Sequence, residues 1–268
     1  ISIVTERMML VDSHCHLNYK GLVEDIEGTI SRAINANVGY MLSISTKLSD
    51  FSSVLATAEA FSNVACTVGI HPHESDSEPQ TNVTSLVELT KHPKVLGIGE
   101  TGLDFYYDNA PREAQEISFR THIQASRETQ LPIIIHTRNA DERTIEIINE
   151  EQKIGYFPGL IHCFSAGKKL AKCVVDHGMA ISLSGIITFK TAEDIRETIK
   201  GIPLEYILLE TDAPFLAPVP HRGKTNEPAF VTHTAAKAAE IFNIEPELIA
   251  EVTTDNFFKL FSKAKRPL

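Results

Sequence analysis

Apolar residues along this chain gather into eight short, β-branched runs, separated by stretches with helical periodicity. The runs are Leu10–Leu17, Tyr40–Ser45, Val64–His71, Val95–Gly102, Pro132–Thr137, Gly159–Phe164, Met179–Ser184 and Tyr206–Thr211. Turn residues bound each of them, and they predict strands. Between the first two, Glu24–Asn37 sets Ile26, Ile30, Ala33 and Ile34 on one face, with Val38 continuing it. Arg112–Gln130, Asp141–Glu150, Lys168–His177, Ala192–Lys200 and Ala229–Phe242 repeat that amphipathic pattern. Glu245–Phe261 predicts a further helix closing the chain. The stretch after the third strand is the least regular, because His73–Asn82 is long and polar.

Strands that alternate with helices imply a parallel sheet, and right-handed crossovers close eight such units into a (β/α)8 TIM barrel with an additional C-terminal helix. An open doubly wound sheet competes, but it carries a Gly-rich phosphate turn after its first strand, where this chain has HCHLNYKG. No low-complexity tract or break in composition marks a linker, so residues 1–268 are expected to form one domain. A barrel also fixes where chemistry must lie, at the C-terminal ends of the strands.

Composition narrows the partners. The 268 residues are 43% apolar, enough for one large core, and 25 Lys and Arg against 35 Asp and Glu leave a formal charge of −10. That sign weighs against a polyanionic partner. The longest apolar runs, such as Leu131–Ile135, have four or five residues where a membrane span needs about 18. The leading ISIVTERMML carries Glu6 and Arg7 and no long apolar region, so no signal peptide is expected. Four cysteines, Cys15, Cys66, Cys163 and Cys173, lack CxxC or framework spacing, which fits a reduced, cytoplasmic setting. Nothing calls for an obligate protein partner.

Candidate ligands sit at the strand ends. Side chains alternate along a strand, so His14 and His16 face the same way and Cys15 faces the helices. Glu100 ends the fourth strand inside an apolar, Gly-flanked stretch, where a carboxylate is costly unless paired or metal-bound. His136, His162 and Asp212 follow branched aliphatic runs on the fifth, sixth and eighth strands. Singly, each passes for a polar strand terminus. Together, four histidines and two carboxylates exceed one tetrahedral zinc site and suit two divalent ions about 3.5–4 Å apart. Glu100 is the natural bridge, with His14, His16 and Asp212 on one ion and His136 and His162 on the other. Asp212 also suits the role of general base. Without thiolate ligands the metal stays open among Mg2+, Mn2+ and Zn2+, and Cys163 is expected to turn away toward the helices.

At this point the residues resemble a known family. HCHL at 14–17, GETGLDFYY at 99–107, IIIHTR at 133–138, HCFS at 162–165, LETDAPFLAP at 209–218 and RGKTNEP at 222–228 look like the motifs of the TatD family of metal-dependent deoxyribonucleases. The match runs from Asp12 to about Pro228 and continues more weakly beyond. It implies a TIM-barrel hydrolase of the amidohydrolase-like group with a binuclear site, Mg2+ first among its ions, and 3′→5′ exonuclease activity on single-stranded DNA. The family's ligands, carried over, fall on His14, His16, Glu100, His136, His162 and Asp212. One departure is Ala166-Gly167, where the family more often has Gly directly after the serine of HCFS.

Phosphate contacts are sought on other residues. His71, ending the third strand, can reach a scissile phosphate, support the metals or simply cap. Arg138 shares the facing of His136 and can clamp a phosphate oxygen. Arg222 and Lys224 lie in the loop after the eighth strand, a common phosphate corner of barrels, while Asn226 and Glu227 can order that loop. Tyr106 and Tyr107 can stack a base. His92, His122, His177 and His233 read as structural or surface residues.

The leading expectation is therefore two-metal phosphodiester hydrolysis. A rival keeps the site and changes the substrate to a small amide, lactone or phosphoester. Glu rather than Lys at the end of the fourth strand speaks against the carbamylated-lysine type. A non-catalytic metal-binding barrel is the third reading, and the complete ligand set argues against it. The charge of −10 is an average over the whole surface, so it argues for a short nucleic-acid footprint rather than against nucleic acid.

Overall fold

The structure is a computed structural model that describes residues 9–78 and 81–267. The segment before Met9, on which part of the signal-peptide reading falls, lies outside the described residues. Eight parallel strands pair in chain order: β1 (Leu10–Cys15), β2 (Val38–Ser43), β3 (Val64–Val68), β4 (Val95–Asp104), β5 (Ile133–Arg138), β6 (Gly159–Ile161), β7 (Ala180–Leu183) and β8 (Ile207–Leu209). A parallel bridge between Cys15 and Ala213 joins the two edges, with His16 N donating to Ala213 O and Asp212 N to His14 O, each at 2.8 Å. The chain is a (β/α)8 barrel.

Helices α1 (Ile26–Asn35), α2 (Phe51–Ala60), α3 (Val83–Leu89), α4 (Arg112–Thr129), α5 (Asp141–Ile154), α6 (Lys168–Asp176), α7 (Glu193–Lys200) and α8 (Val231–Phe242) follow the strands in turn, and α9 (Pro246–Leu260) is the additional C-terminal helix. One of them, α2, was not read from the sequence, and α3 lies in the stretch after the third strand that was the least regular. In α2, Phe51, Val54, Leu55 and Ala58 form the buried face, but Ala56 and Ala60 on the exposed side weaken the contrast between the two faces. In α3, only seven residues follow the polar loop, and the start is set by a capping box between Asn82 and Ser85.

Two apolar clusters account for the core. Val11, Leu42, Ala65, Leu96, Ile134, Leu160, Ala180 and Leu208, at least one residue from every strand, pack with Phe257 and Phe261 at the end of α9. They fill the barrel, and α9 stoppers it. A larger cluster lies between strands and helices, with Met41, Ile133, Ile135, Ile161 and Leu209 against Phe119, Ile147, Leu170 and Ile249. Each fully buried side chain of this size contributes roughly 1.5–3 kcal/mol.

Several strands stop earlier than the hydrophobic pattern predicts. β3 ends at Val68 rather than His71, β6 at Ile161 rather than Phe164, and β8 at Leu209 rather than Thr211. The polar residues beyond leave the ladder, and left-handed backbone at Cys163 (φ 47°) and Asp212 (φ 59°) turns the chain across the barrel mouth. That turn overturns one expectation: Cys163 does not face the helices but lines the cleft above the barrel, its Sγ 3.4 Å from Ser184 Oγ. Strand parity does not apply to a residue outside the strand.

Of the four histidines read as structural or surface residues, His92 contacts Glu59, His177 contacts Asn149 and His233 contacts His221. His122 is buried in α4, where its Nε2 accepts from Ile70 N at 3.0 Å and its Nδ1 lies 2.6 Å from Ser118 O. The ring is thus a neutral imidazole pinning the start of the loop that carries His71. Burial pushes its pKa down to about 4, against a partly compensating hydrogen bond to Ser118. Between about pH 6.5 and about pH 4 the unfolded chain binds a proton that the folded chain refuses. The stability this histidine contributes is therefore present above pH 6.5 and lost on acidification, by about 3 kcal/mol in all. Denaturant unfolding of the protein and of His122→Gln should differ less at pH 4.5 than at pH 7; a constant difference would contradict this role.

Candidate metal centre

The barrel alternation carries directly from apolar interior to polar mouth. On β5, β6 and β8, inward Ile134, Leu160 and Leu208 are followed two residues later by His136, His162 and Glu210. On β4 the register slips between Gly99 and Thr101, so Glu100 is the extra residue of a bulge, a device that re-aims a side chain. On β1 a second irregularity between Asp12 and Cys15 leaves His14 and His16 on the cleft side and Cys15 in the outer core.

Five histidines converge on the buried carboxylate of Glu100, divided between its two oxygens. Oε1 lies 3.4 Å from His14 Nε2 and 3.8 Å from His16 Nε2. Oε2 lies 2.6 Å from His162 Nε2, 3.0 Å from His136 Nδ1 and 3.6 Å from His71 Nε2. Asp212 Oδ1 stands 3.4 Å from His14 Nε2 and 3.3 Å from His16 Nε2. All six residues expected as ligands thus meet at one point. His71 joins them on the Oε2 side.

The second nitrogens of these rings are held from behind. His16 Nδ1 lies 3.2 Å from Ile44 O, His136 Nε2 2.9 Å from Asp104 Oδ2, and His162 Nδ1 3.2 Å from Glu210 Oε1. Such outer contacts fix ring orientation and tautomer at metal sites. His71 differs. Its Nδ1 accepts from His73 N at 3.1 Å, so its proton sits on Nε2, and the nitrogen facing Glu100 is a donor rather than a ligand. Burial pushes its pKa down to about 3, and the ring stays neutral.

Three observations bear on whether the residues fit metal ions. Both ring nitrogens of His14 are buried without a hydrogen-bond partner, which a native interior rarely tolerates. Burial, with His162 beside it, lowers the His14 pKa, so the ring is a neutral donor with a lone pair to offer. With metal–ligand distances near 2.1 Å, ligand atoms around one ion stand roughly 3.0–3.4 Å apart, and the contacts among His14, His16, Asp212 and Glu100 Oε1 run from 3.3 to 3.8 Å. The donor set is imidazole and carboxylate throughout, and it fits divalent cations. Burial works to raise the Glu100 carboxyl, but His162, His71 and His14 hold it well below the usual range. Asp212 is likewise held low by His16 against its own burial. Both are anions.

Sequence reading missed three supporting groups. Glu210, fully buried, was signalled by the parity that singles out His162, since it stands two residues after inward Leu208. Asp104 closes β4, receives Tyr106 N and Tyr107 N on Oδ1, and has His73 Nε2 3.1 Å from Oδ2. Asp12, pushed up to about 7 by burial, accepts from Thr211 N at 2.9 Å and Thr211 Oγ1 at 2.5 Å; it ties β1 to the β8 turn where the ladder is thinnest.

A cleft of about 1000 Å³ opens over the centre, lined among others by Tyr19, Lys20, His71, Arg138, Cys163 and Phe215. Arg138 lies on its rim, with its guanidinium 4.1 Å over the ring of Tyr106 and 4.8 Å over that of Tyr107. Arg222 is not among the lining residues. Its guanidinium lies 3.8 Å over the Phe189 ring and donates to Ala217 O. Asn226, fully buried, donates to Thr211 O and Phe215 O and so orders the loop after β8, and Glu227 pairs with Arg32 of α1.

Comparison with known proteins agrees with this architecture. Residues 11–262 match the family described as TatD related DNase. An uncharacterized metal-dependent hydrolase of Escherichia coli K12 is 40% identical over 257 residues, covering 95% of this chain and 96% of the relative. A protein of Salmonella typhimurium named 3′-5′ ssDNA/RNA exonuclease TatD is 30% identical over 258 residues, covering 94% and 98%. Among solved structures, a TatD homologue from Escherichia coli K12 superposes with a TM-score of 0.85 at 27% identity, covering 94% of this chain and 98% of that one.

Proposed function

This chain belongs to the TatD-related DNase family of metal-dependent hydrolases, and on that footing we propose that it hydrolyses phosphodiester bonds at the 3′ end of single-stranded DNA. The observation that carries the reading is the division of Glu100 between two sets of ligands, one on each oxygen. His14, His16, Asp212 and Oε1 would hold one divalent ion, and His136, His162 and Oε2 a second, with Mg2+ the first candidate and Mn2+ and Zn2+ the others. Ions bound there supply charge neutralisation and a lowered pKa for water.

The chain's own residues do the rest. Asp212 is an anion facing the cleft, placed to take a proton from the attacking water. The Nε2–H of His71 points into the same space and donates to a phosphate oxygen, where a fixed donor strengthens as charge develops. Arg138 holds the next phosphate of the strand from the rim. Arg222 is left out of the role expected for it, because Phe189 and Ala217 already engage its guanidinium. Free thiols at all four cysteines support a cytoplasmic setting, and among the described residues no helix is long and apolar enough to cross a membrane.

Turnover of single-stranded DNA should exceed that of small amides, lactones and phosphomonoesters under the same metal, and the reverse order would overturn the reading. His71→Gln is expected to lower kcat by about 100-fold while metal content, measured on the purified protein, is unchanged. Loss of one ion with the substitution would instead make His71 a ligand.

A further inference from the structure

Phe215 stands three residues after Asp212 on the β8 turn, and half of it is exposed (50%). Its backbone is locked on both sides. Phe215 N donates to Asp212 O at 2.9 Å, and Phe215 O accepts from the buried Asn226 Nδ2 at 2.7 Å. Asn226 Nδ2 also reaches Thr211 O, and Asn226 N donates to Pro214 O. The ring is thus bare while its support is tied to the same turn that carries Asp212.

Its neighbours leave it room. Phe215 meets His16 at 6.2 Å and 66° and Tyr19 at 6.0 Å and 81°, both edge-type contacts, and among the described residues no ring stacks on it. The other exposed aromatics of the rim, Tyr106 and Tyr107, already have the Arg138 guanidinium over their rings. Ile186, Pro214 and Leu216 line the same cleft as Phe215, with Lys20 next to Tyr19.

We propose that Phe215 is the platform on which the 3′-terminal nucleobase stacks, so that this residue selects for an unpaired, intact terminal base. The assignment rests on the nuclease reading above. A flat aromatic ligand gains from a rigid ring face whichever base it is, because every base has a π-face, and a terminal base engaged in a duplex cannot reach it.

The test uses the metal-loaded protein and a single-stranded oligonucleotide ending in 3′-terminal 2-aminopurine, with a phosphorothioate at the last linkage to slow turnover. Stacking quenches that fluorophore. Quenching on binding is expected with the unaltered protein and with Phe215→Trp, and its loss is expected with Phe215→Ala, together with about 10-fold weaker binding. On unmodified DNA, Phe215→Ala should lower kcat/KM about 10-fold for an intact 3′ end and leave an abasic 3′ end unaffected. Equal quenching in both proteins, or the same loss on the abasic end, overturns the assignment. If the unaltered protein neither binds nor cleaves any single strand, the nuclease reading fails as well, whatever Phe215 does.

Discussion

Replacing Glu100 with alanine is expected to lower hydrolysis about 10⁴-fold or more, the largest single effect in the molecule. The reason is geometric. One buried carboxylate faces five imidazoles, and its two oxygens serve two separate groups of them. Among the described residues no other anion is shared by both groups, so its loss leaves unpaired ligands on each side and nothing to hold two ions together. Glu100→Gln keeps the volume and removes the charge, which separates the loss of the ligand from any loss of packing. Both variants should be assayed for turnover and for bound metal. Full metal-dependent activity in either one would remove Glu100 from the role of bridge.

Asp212→Asn is expected to lower kcat about 10³-fold, within the range that loss of a positioned proton acceptor produces, with a smaller change in KM. Asparagine can fill the same left-handed position at φ 59°, so the turn and its hydrogen bond to His14 O should survive. What is lost is an anion beside His14 and His16. Steady-state kinetics at saturating metal distinguish the two parts of this role: excess metal restores a lost ligand in part but does not restore a lost base. A variant returned to full kcat by excess metal would show that Asp212 acts through the ion alone.

Much of this was legible in the chain because a barrel obeys strict rules. The eight β-branched runs gave the strands, parity on β1 put His14 and His16 on one side, and His136 and His162 were read as the polar ends of branched aliphatic runs. Parity would also have given Glu210, had the rule been applied to β8. What stayed illegible lies where those rules stop. Cys163 sits beyond the last residue of β6 on left-handed backbone, so alternation assigned it to the wrong side. Glu100 was placed by its costly apolar surroundings rather than by the bulge that aims it. The engagement of Arg222 by Phe189, and of Tyr106 and Tyr107 by Arg138, joins residues tens of positions apart through side-chain stacking that no local pattern encodes. The tautomer of His71 depends on one backbone N–H two residues downstream, a detail that only coordinates supply. α2 was missed because its buried stripe of Phe51, Val54, Leu55 and Ala58 is faced by Ala56 and Ala60, which blur the contrast between the two sides.

Two-metal cleavage from the 3′ end is tested most directly by digestion of single-stranded DNA, labelled at the 5′ or the 3′ end, with protein stripped of metal and then reloaded with Mg2+, Mn2+ or Zn2+. With at least one of these ions, the 3′ label should leave as a mononucleotide at once and the 5′-labelled strand should shorten stepwise, with no cleavage in the stripped protein. No release with any ion, or release that begins at the 5′ end, would contradict it.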